Sequence, residues 1–143
     1  MLTRKDRTML SIALHADNEK KNLLDNFCIA YKNILSKHHL LATESTANHV
    51  KAATGLEVSS LLAGRLGGNR QLESAIANEE VDLLISFERV DLDHIQDKAD
   101  QSALIRLCDL YNIPVATNLS TAECLILGLA RGDLDWRNEI RHV

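Results

Sequence analysis

The run Val81–Phe87 reads VDLLISF, and five of its seven residues are apolar. A short, nearly continuous apolar run is typical of a strand in a parallel sheet that is buried on both faces. Four more β-rich runs occur along the chain, and helical patterns separate all five. The other runs are Met9–Ala16, His39–Thr43, Val58–Ala63 and Pro114–Asn118.

The segments between these runs carry apolar residues at helical spacing, which predicts helices that pack one face on the sheet. Strands that alternate with helices over short links indicate a right-handed, doubly wound arrangement. We therefore predict an α/β fold with a five-stranded parallel sheet and helices on both faces, as a single domain over residues 1–143. The helix that starts near Ser45 should end at Gly55. The apolar stripes are Leu23, Phe27, Ala30, Tyr31 and Ile34; Leu104, Leu107, Cys108 and Tyr111; and Ala122, Leu125, Ile126 and Leu129.

The composition indicates a cytoplasmic protein with neither a nucleic-acid nor a membrane partner. The 143 residues carry a net charge of −4, only 3% are aromatic, and no basic stripe is present. No apolar run is long enough to span a membrane, and the first ten residues lack the apolar centre of a signal peptide. Cys28, Cys108 and Cys124 are widely spaced and fall in helical patterns, so we expect three reduced cysteines in the core.

Ligands of doubly wound sheets bind outside the carboxyl ends of the strands, so the loops that follow the strands are the candidate site. Asp17 follows the first run, where it either caps the next helix or points into the site. Lys20 lies one turn further on and can pair with Asp17 or with a ligand phosphate. His38 and His39 stand at the opposite end of their strand, and we expect them on the surface. No residues have metal-ligand spacing, so no metal and no cofactor are predicted.

The loop after the second run carries Thr43, Ser45 and Thr46, which predicts a phosphate site at a helix N-terminus. The alternative is that these hydroxyls only cap the helix. The stretch GRLGGNRQ, residues 64–71, holds half of the six glycines of the chain. Gly64, Gly67 and Gly68 would let the backbone approach the same ligand closely.

Taken in order, these loops resemble those of the methylglyoxal synthase family over roughly residues 9 to 126. The resemblance rests on ALHADNEK, LLATESTANHV, LLAGRLGGNRQ, VDLLISF and above all NIPVATNLSTAE. It implies the small phosphorylated metabolite dihydroxyacetone phosphate as ligand. A proton beside the carbonyl is removed, phosphate is expelled from the enediolate, and methylglyoxal is formed. It also implies a homo-oligomer, with a hexamer as the expected form.

The resemblance also implies roles for individual residues. Asp17 and Asp100 match active-site aspartates, and Lys20, Thr43, Thr46 and Gly64 match phosphate or backbone contacts. A C-terminal arginine is expected at the phosphate, with Arg137 and Arg141 as the two candidates. Several positions depart from the family pattern: Ala16 and Asp97 replace histidines, Glu44 replaces a glycine, Ala63 a serine and Arg65 a proline. Next to Ala16 stands His15.

Asn69 stands where the family carries its catalytic aspartate. An amide has the shape of a carboxylate but does not accept a proton at neutral pH. General base catalysis is worth about 10²- to 10⁴-fold, so the site is either a slow enzyme or a binding module without catalysis. The catalytic candidates are Asp17, Asn69 and Asp100. Arg65 either neutralises Glu44, contacts the phosphate, or stays in solvent as Glu44 does.

Overall fold

A computed structural model describes residues 9–89 and 102–137, with Arg65 as backbone only. Its five strands form one all-parallel sheet in the order β3-β2-β1-β4-β5. The predicted doubly wound α/β class is confirmed. The strands are β1 (Ser11–Ala16), β2 (His39–Thr43), β3 (Ser59–Leu61), β4 (Leu83–Phe87) and β5 (Val115–Ala116).

The helices connect consecutive strands or follow the last one. They are α1 (Lys21–Ala30), α2 (Lys32–Leu35), α3 (Glu44–Thr54), α4 (Gly68–Ala77), α5 (Ala103–Leu110) and α6 (Leu119–Ala130). Two single 3-10 turns, Asn18–Lys20 and Gly64–Leu66, precede α1 and α4. Helix α3 ends as predicted, because Gly55 takes a left-handed conformation with φ of 75°. Among the described residues, no helix is long and apolar enough to cross a membrane.

The sheet is buried on both faces, since successive side chains of a strand point to opposite sides. Ile12 and Leu14 of β1 pack with α1, α3 and α6, whereas Ala13 packs with α4 and α5. In the same way β4 is buried at every position. The continuous apolar run of residues 81–87 therefore reflects two cores, one on each side of the sheet.

Strand lengths differ from the sequence prediction except at β2, which has the predicted bounds. The third strand ends at Leu61 because the Ala63 carbonyl accepts hydrogen bonds from Leu66 and Gly68 and starts the glycine turn. The fifth has two residues, since the Asn118 side chain leaves the ladder to cap α6. Local turn and cap hydrogen bonds compete with strand pairing at these ends.

Arg137 lies at the amino edge of the sheet, opposite to the loops that form the candidate site. Its Nε is 3.4 Å from Asp82 Oδ1, and its Nη1 donates to the Asn112 carbonyl at 3.0 Å. Asp82 in turn accepts a 2.8 Å hydrogen bond from the Ser11 N–H. Arg137 thus joins the starts of β1, β4 and β5, and within its own chain it does not reach the predicted phosphate loop. Arg141 is outside the described residues.

The expectation of three core cysteines is wrong for Cys124, which is exposed, while Cys28 and Cys108 are buried. Cys124 follows the inward-facing Ala122 by two positions, which turns it to the opposite side of α6. Burial raises the pKa of both core thiols to about 12, so they are inert at neutral pH.

His38 is half-buried rather than a surface residue, whereas His39 is exposed as expected. The Leu10 N–H donates to His38 Nδ1 at 3.0 Å. This contact needs a neutral ring, because an imidazolium has no acceptor nitrogen. Burial lowers the pKa of His38 below its ordinary 6.5, although Asp135 acts in the other direction.

We expect the free energy of unfolding to fall as the pH drops below about 6.5, because the unfolded chain then binds a proton at His38 before the folded chain does. Urea unfolding midpoints measured between about pH 7.5 and pH 5 test this. His38→Asn keeps an acceptor without titrating and should flatten the pH dependence. The same change at exposed His39 should leave the dependence as it is, and an unchanged slope in His38→Asn would contradict the assignment.

Candidate active site

The candidate site begins at the point where the chain order of the strands reverses, between β1 and β4. Parallel strands on either side of such a point leave a crevice at their carboxyl ends. The two loops that leave this point are joined directly, because the Asp17 N–H donates to the Phe87 carbonyl at 3.0 Å. The Arg89 N–H, in the loop after β4, donates to Asp17 Oδ2 at 2.5 Å.

Asp17 stands at the N-cap position of the first 3-10 turn, but its side chain caps nothing. One carboxylate oxygen is held by the Arg89 N–H, and the other, Oδ1, lies 3.6 Å from His15 Nε2. Of the two alternatives from the sequence, the structure therefore disfavours the cap. The carboxylate is fixed across the crevice between β1 and β4.

Lys20 follows Asp17 by one turn, and its N–H donates to the Asp17 carbonyl at 2.8 Å. Its ammonium forms no ion pair with Asp17 or with any other carboxylate in residues 9–89 and 102–137. The next residue behaves differently, since the Lys21 side chain is buried and donates to Asn18 Oδ1 at 2.5 Å. Lys20 is thus the lysine that this turn leaves available for a ligand.

The start of α3 lacks a side-chain cap. Thr43 occupies the N-cap position, yet its hydroxyl accepts no hydrogen bond from the helix. Ser102 and Asn118, by contrast, cap α5 and α6 in the expected way. Thr43 and Thr46 are buried, whereas Glu44 and Ser45 are exposed. No side chain of the described residues accepts a hydrogen bond from the first N–H groups of α3, and an anion is the acceptor that suits them best.

In the glycine turn, the backbone conformation itself requires glycine at two of the three positions. Gly67 has a φ of 105°, a conformation that other residues rarely adopt. At Gly68 a Cβ would lie 1.8 Å from the Leu62 carbonyl oxygen, which leaves no room for a side chain. Gln71 completes the turn, since its Oε1 accepts the Leu62 N–H at 2.8 Å. The close contact at Gly68 is thus made with the backbone of Leu62 and not with a ligand.

Asn69 is exposed and lies against Gly64 at the start of α4. Its Nδ2 and Oδ1 are both 3.4 Å from the place that a Cβ of Gly64 would take. The side chain therefore lies beside the first residue of the 3-10 turn, whose N-cap residue Ala63 provides no side-chain cap. Around Gly67, by contrast, no atom of the described residues, other than those of its chain neighbours, lies within 4 Å of the place of a Cβ.

His15 is the residue that the sequence patterns undervalued, since it stood out only as the neighbour of Ala16. It lies opposite Ser86 in the β1–β4 register, at the same edge as Asp17. His15 Nδ1 and Ser86 Oγ are buried and lack hydrogen-bond partners among the described residues. The alternation of side chains along β1 predicts that His15 lies on the α4 side of the sheet, like Ala13. A sequence pattern does not show whether a ring nitrogen has a hydrogen-bond partner.

Besides Arg141, some residues named from the sequence have no described side chain. Asp100 and the departure at Asp97 lie outside the described residues, and no side chain is described for Arg65. The exposure of Glu44 agrees with an outward orientation of that carboxylate. The described candidates Asp17, Lys20, Thr43, Ser45, Thr46, Gly64, Gly67, Gly68 and Asn69 all stand on the loops that follow β1, β2 and β3.

These features define a doubly wound α/β protein with its candidate site at the carboxyl edge of the sheet. The family model of the MGS-like domain matches residues 24–117. A methylglyoxal synthase of Caldicellulosiruptor saccharolyticus is 52% identical over 128 residues, which cover 90% of this chain and 90% of the relative. One of Lysinibacillus sphaericus is 49% identical over 90% of this chain and 95% of the relative.

A solved structure agrees with these sequence relatives. The crystal structure of methylglyoxal synthase from Elizabethkingia anophelis superposes with a TM-score of 0.73 at 35% identity, over 83% of this chain and 78% of that chain. The chain belongs to the MGS-like domain family. The resemblance to methylglyoxal synthases stated from the sequence is confirmed.

Gly68→Ala should destabilise the fold by at least the upper end of the about 1–3 kcal/mol that overpacking costs, because the added methyl group meets the Leu62 carbonyl. Urea unfolding measures the effect. Gly64→Ala is the matched control, since its Cβ would be in ordinary contact with Asn69 at 3.4 Å. Equal stability of the two variants would show that the turn does not have the described backbone.

Proposed function

We propose that this protein binds dihydroxyacetone phosphate and eliminates phosphate from it, slowly, to give methylglyoxal. The observation that carries the proposal is the start of α3, where Thr43 and Thr46 are buried beside helix N–H groups that donate to no side chain of the described residues. An anion is the ligand that such a helix start accepts most readily. Family membership supports the same type of function, because the relatives named above are methylglyoxal synthases.

The proposed reaction needs a hold on the phosphate, a base and a group that polarises the carbonyl oxygen. Thr43, Ser45 and Thr46 with the N–H groups of α3 would hold the phosphate. The ammonium of Lys20, which pairs with no carboxylate of the described residues, would add charge. The backbone N–H of Gly64 would add a further donor, whereas that of Gly67 already donates to the Gly64 carbonyl at 3.3 Å. Asp17 is a carboxylate in the crevice, and among the described residues its Oδ1 has no hydrogen-bond donor, with His15 Nε2 at 3.6 Å.

Asn69 is the reason to expect slow turnover. Its amide fits over Gly64 as a carboxylate of the same shape would, so it can orient substrate but not accept a proton. The loss of one general base is worth about 10²- to 10⁴-fold. Asp17 would then serve as the base, and Asp100 stays a candidate from the sequence.

The second candidate function is a binding module for a small phosphorylated metabolite without catalysis. Asn69 favours this function, because an amide cannot act as the base for catalysis, whereas binding of phosphate does not require a base. Regulation by such a metabolite would use the same helix start. Under either function we expect a cytoplasmic homo-oligomer, and the resemblance implies a hexamer.

Thr46→Val should weaken the binding of inorganic phosphate while leaving the fold intact, since valine is isosteric with threonine and removes only the hydroxyl. Isothermal calorimetry measures the affinity. Ser36→Ala is a suitable control, because that hydroxyl lies before β2, away from the phosphate loop, and donates to the Asn33 carbonyl. Equal phosphate affinity of Thr46→Val and the unaltered protein would remove Thr46 from the site.

Asn69→Asp separates the slow enzyme from the binding module. The exchange restores a carboxylate in the same volume, so methylglyoxal production should rise by about 10²- to 10⁴-fold. The assay follows methylglyoxal and released phosphate from dihydroxyacetone phosphate. Asn78→Asp, at the other end of α4, is the matched control and should have no effect.

A rate unchanged by Asn69→Asp would favour the binding module, with phosphate affinity still measurable by calorimetry. Fast turnover by the unaltered protein would instead show that Asn69 does not occupy the position of the base. The assay and the binding measurement together thus distinguish the two functions.

A further inference from the structure

The segment from Asp17 to Asp25, which leads into α1, carries three carboxylates and two lysines. Within the described residues, however, neither lysine forms an ion pair. Each carboxylate has a partner elsewhere in the molecule. Asp17 accepts from the Arg89 N–H, and Glu19 Oε2 lies 3.8 Å from Arg89 Nε. Asp25 faces a neighbouring helix instead.

The partner of Asp25 is His49, on helix α3. His49 Nδ1 lies 3.3 Å from Asp25 Oδ2, and the Asp25 side chain is only 14% exposed, so it is largely shielded from water. An ionised carboxylate only accepts hydrogen bonds, so the ring nitrogen is the donor in this contact. Asp25 Oδ1 is buried and has no hydrogen-bond partner in the described part of the chain. His49 is thus the group that holds this carboxylate.

Helices α1 and α3 pack side by side on one face of the sheet, since Leu24 of α1 and Val50 of α3 belong to the same core. His49 follows Thr46 by three residues, so it stands one turn behind the candidate phosphate loop. Asp25 likewise stands one turn inside α1. Their contact therefore joins the two helices just behind the loops that carry the candidate site.

In residues 9–89 and 102–137, the charge of Lys21 has no anionic partner. The side chain is buried, and its Nζ donates to Asn18 Oδ1, which is a neutral amide oxygen. A buried charge is expensive without a partner of opposite sign. Asp25 follows four residues later, and this spacing places the two side chains on the same face of α1. The carboxylate that is best placed to neutralise Lys21 is therefore the one that His49 holds.

We propose that His49 is a positioning residue, which holds Asp25 against α3 and so prevents this carboxylate from pairing with Lys21. The inference rests on the anion site proposed above. Lys21 follows Lys20 directly, so its uncompensated charge adds to the positive field that attracts an anion to the start of α1. An ion pair between Asp25 and Lys21 would cancel this part of the field. The packing of α3 on α1 thus keeps positive charge available at the candidate site, although His49 itself does not contact the ligand.

His49→Leu tests this role, with isothermal calorimetry of inorganic phosphate as the measurement. The change frees Asp25 to pair with Lys21, so phosphate affinity should fall by about tenfold, the order expected for one unit charge about 10 Å away near a protein surface. His39→Leu makes the same exchange at the exposed amino edge and should leave the affinity unchanged. His49→Asn keeps an N–H donor near the place of Nδ1 and should bind phosphate as the unaltered protein does.

The double variant His49→Leu with Asp25→Asn separates this electrostatic role from a merely structural one. It lacks the carboxylate that would neutralise Lys21, so phosphate affinity should return to the unaltered value although the contact between the helices is still missing. An affinity that stays low in the double variant would show that His49 only fastens α3 to α1, which contradicts the inference. An affinity that His49→Leu does not lower contradicts it as well. His49→Ala carries the same expectations if His49→Leu does not fold.

Failure of the proposed function gives a different result. An unaltered protein that does not bind inorganic phosphate contradicts the anion site, and with it the effect of His49 on a ligand. The partner of Asp25 is then decided by a crystal structure of His49→Leu, which requires no ligand. Asp25 against the Lys21 ammonium would show that His49 keeps the two side chains apart, whereas Asp25 turned to solvent would exclude this.

Discussion

The pairing of β1 with β4 is the contact on which the site depends. From β1 the chain adds β2 and β3 on one side, and it then returns to add β4 and β5 on the other. The loops that follow β1 and β4 therefore diverge and leave a crevice between them. Two backbone donors fasten this crevice, one to the Phe87 carbonyl and one to the Asp17 carboxylate. A buried parallel ladder keeps these groups in place, since its register cannot slip without exchanging the two cores.

The helices that start around this crevice differ in whether a side chain caps their first N–H groups. Ser102 and Asn118 satisfy the first N–H groups of α5 and α6 from within the chain. No side chain of the described residues does this for the start of α3, and at the start of α4 the Gly68 N–H donates to the Ala63 carbonyl. Free helix N–H groups keep their capacity to hold an anion only where no local side chain satisfies them. The same edge also holds Asp17 and His15, so groups for binding and for proton transfer meet there.

The amino edge of the sheet has a structural role. Asp82 is almost fully buried, and it accepts from Ser11 while it pairs with Arg137, which also holds the Asn112 carbonyl. A buried charge needs such partners, because desolvation is expensive without them. His38 works similarly at this edge through the Leu10 N–H. The ionisable groups of this edge therefore connect the strand starts to the segments that precede or follow them.

The sequence by itself determined the doubly wound class, the strand positions to within a few residues, and which loops lie at the carboxyl edge. These follow from hydrophobic periodicity, which depends on local spacing. It also singled out Asp17, Lys20 and Thr43–Thr46, because side chains of their type follow strands. Tertiary structure alone decided which hydroxyls cap a helix and which do not, that Gly68 meets the Leu62 carbonyl, that Arg137 faces the opposite edge, and that His15 stands against Asp17. Each of these depends on which groups from distant parts of the chain come together, or on which of several possible acceptors an N–H group uses. A local sequence pattern holds neither kind of information.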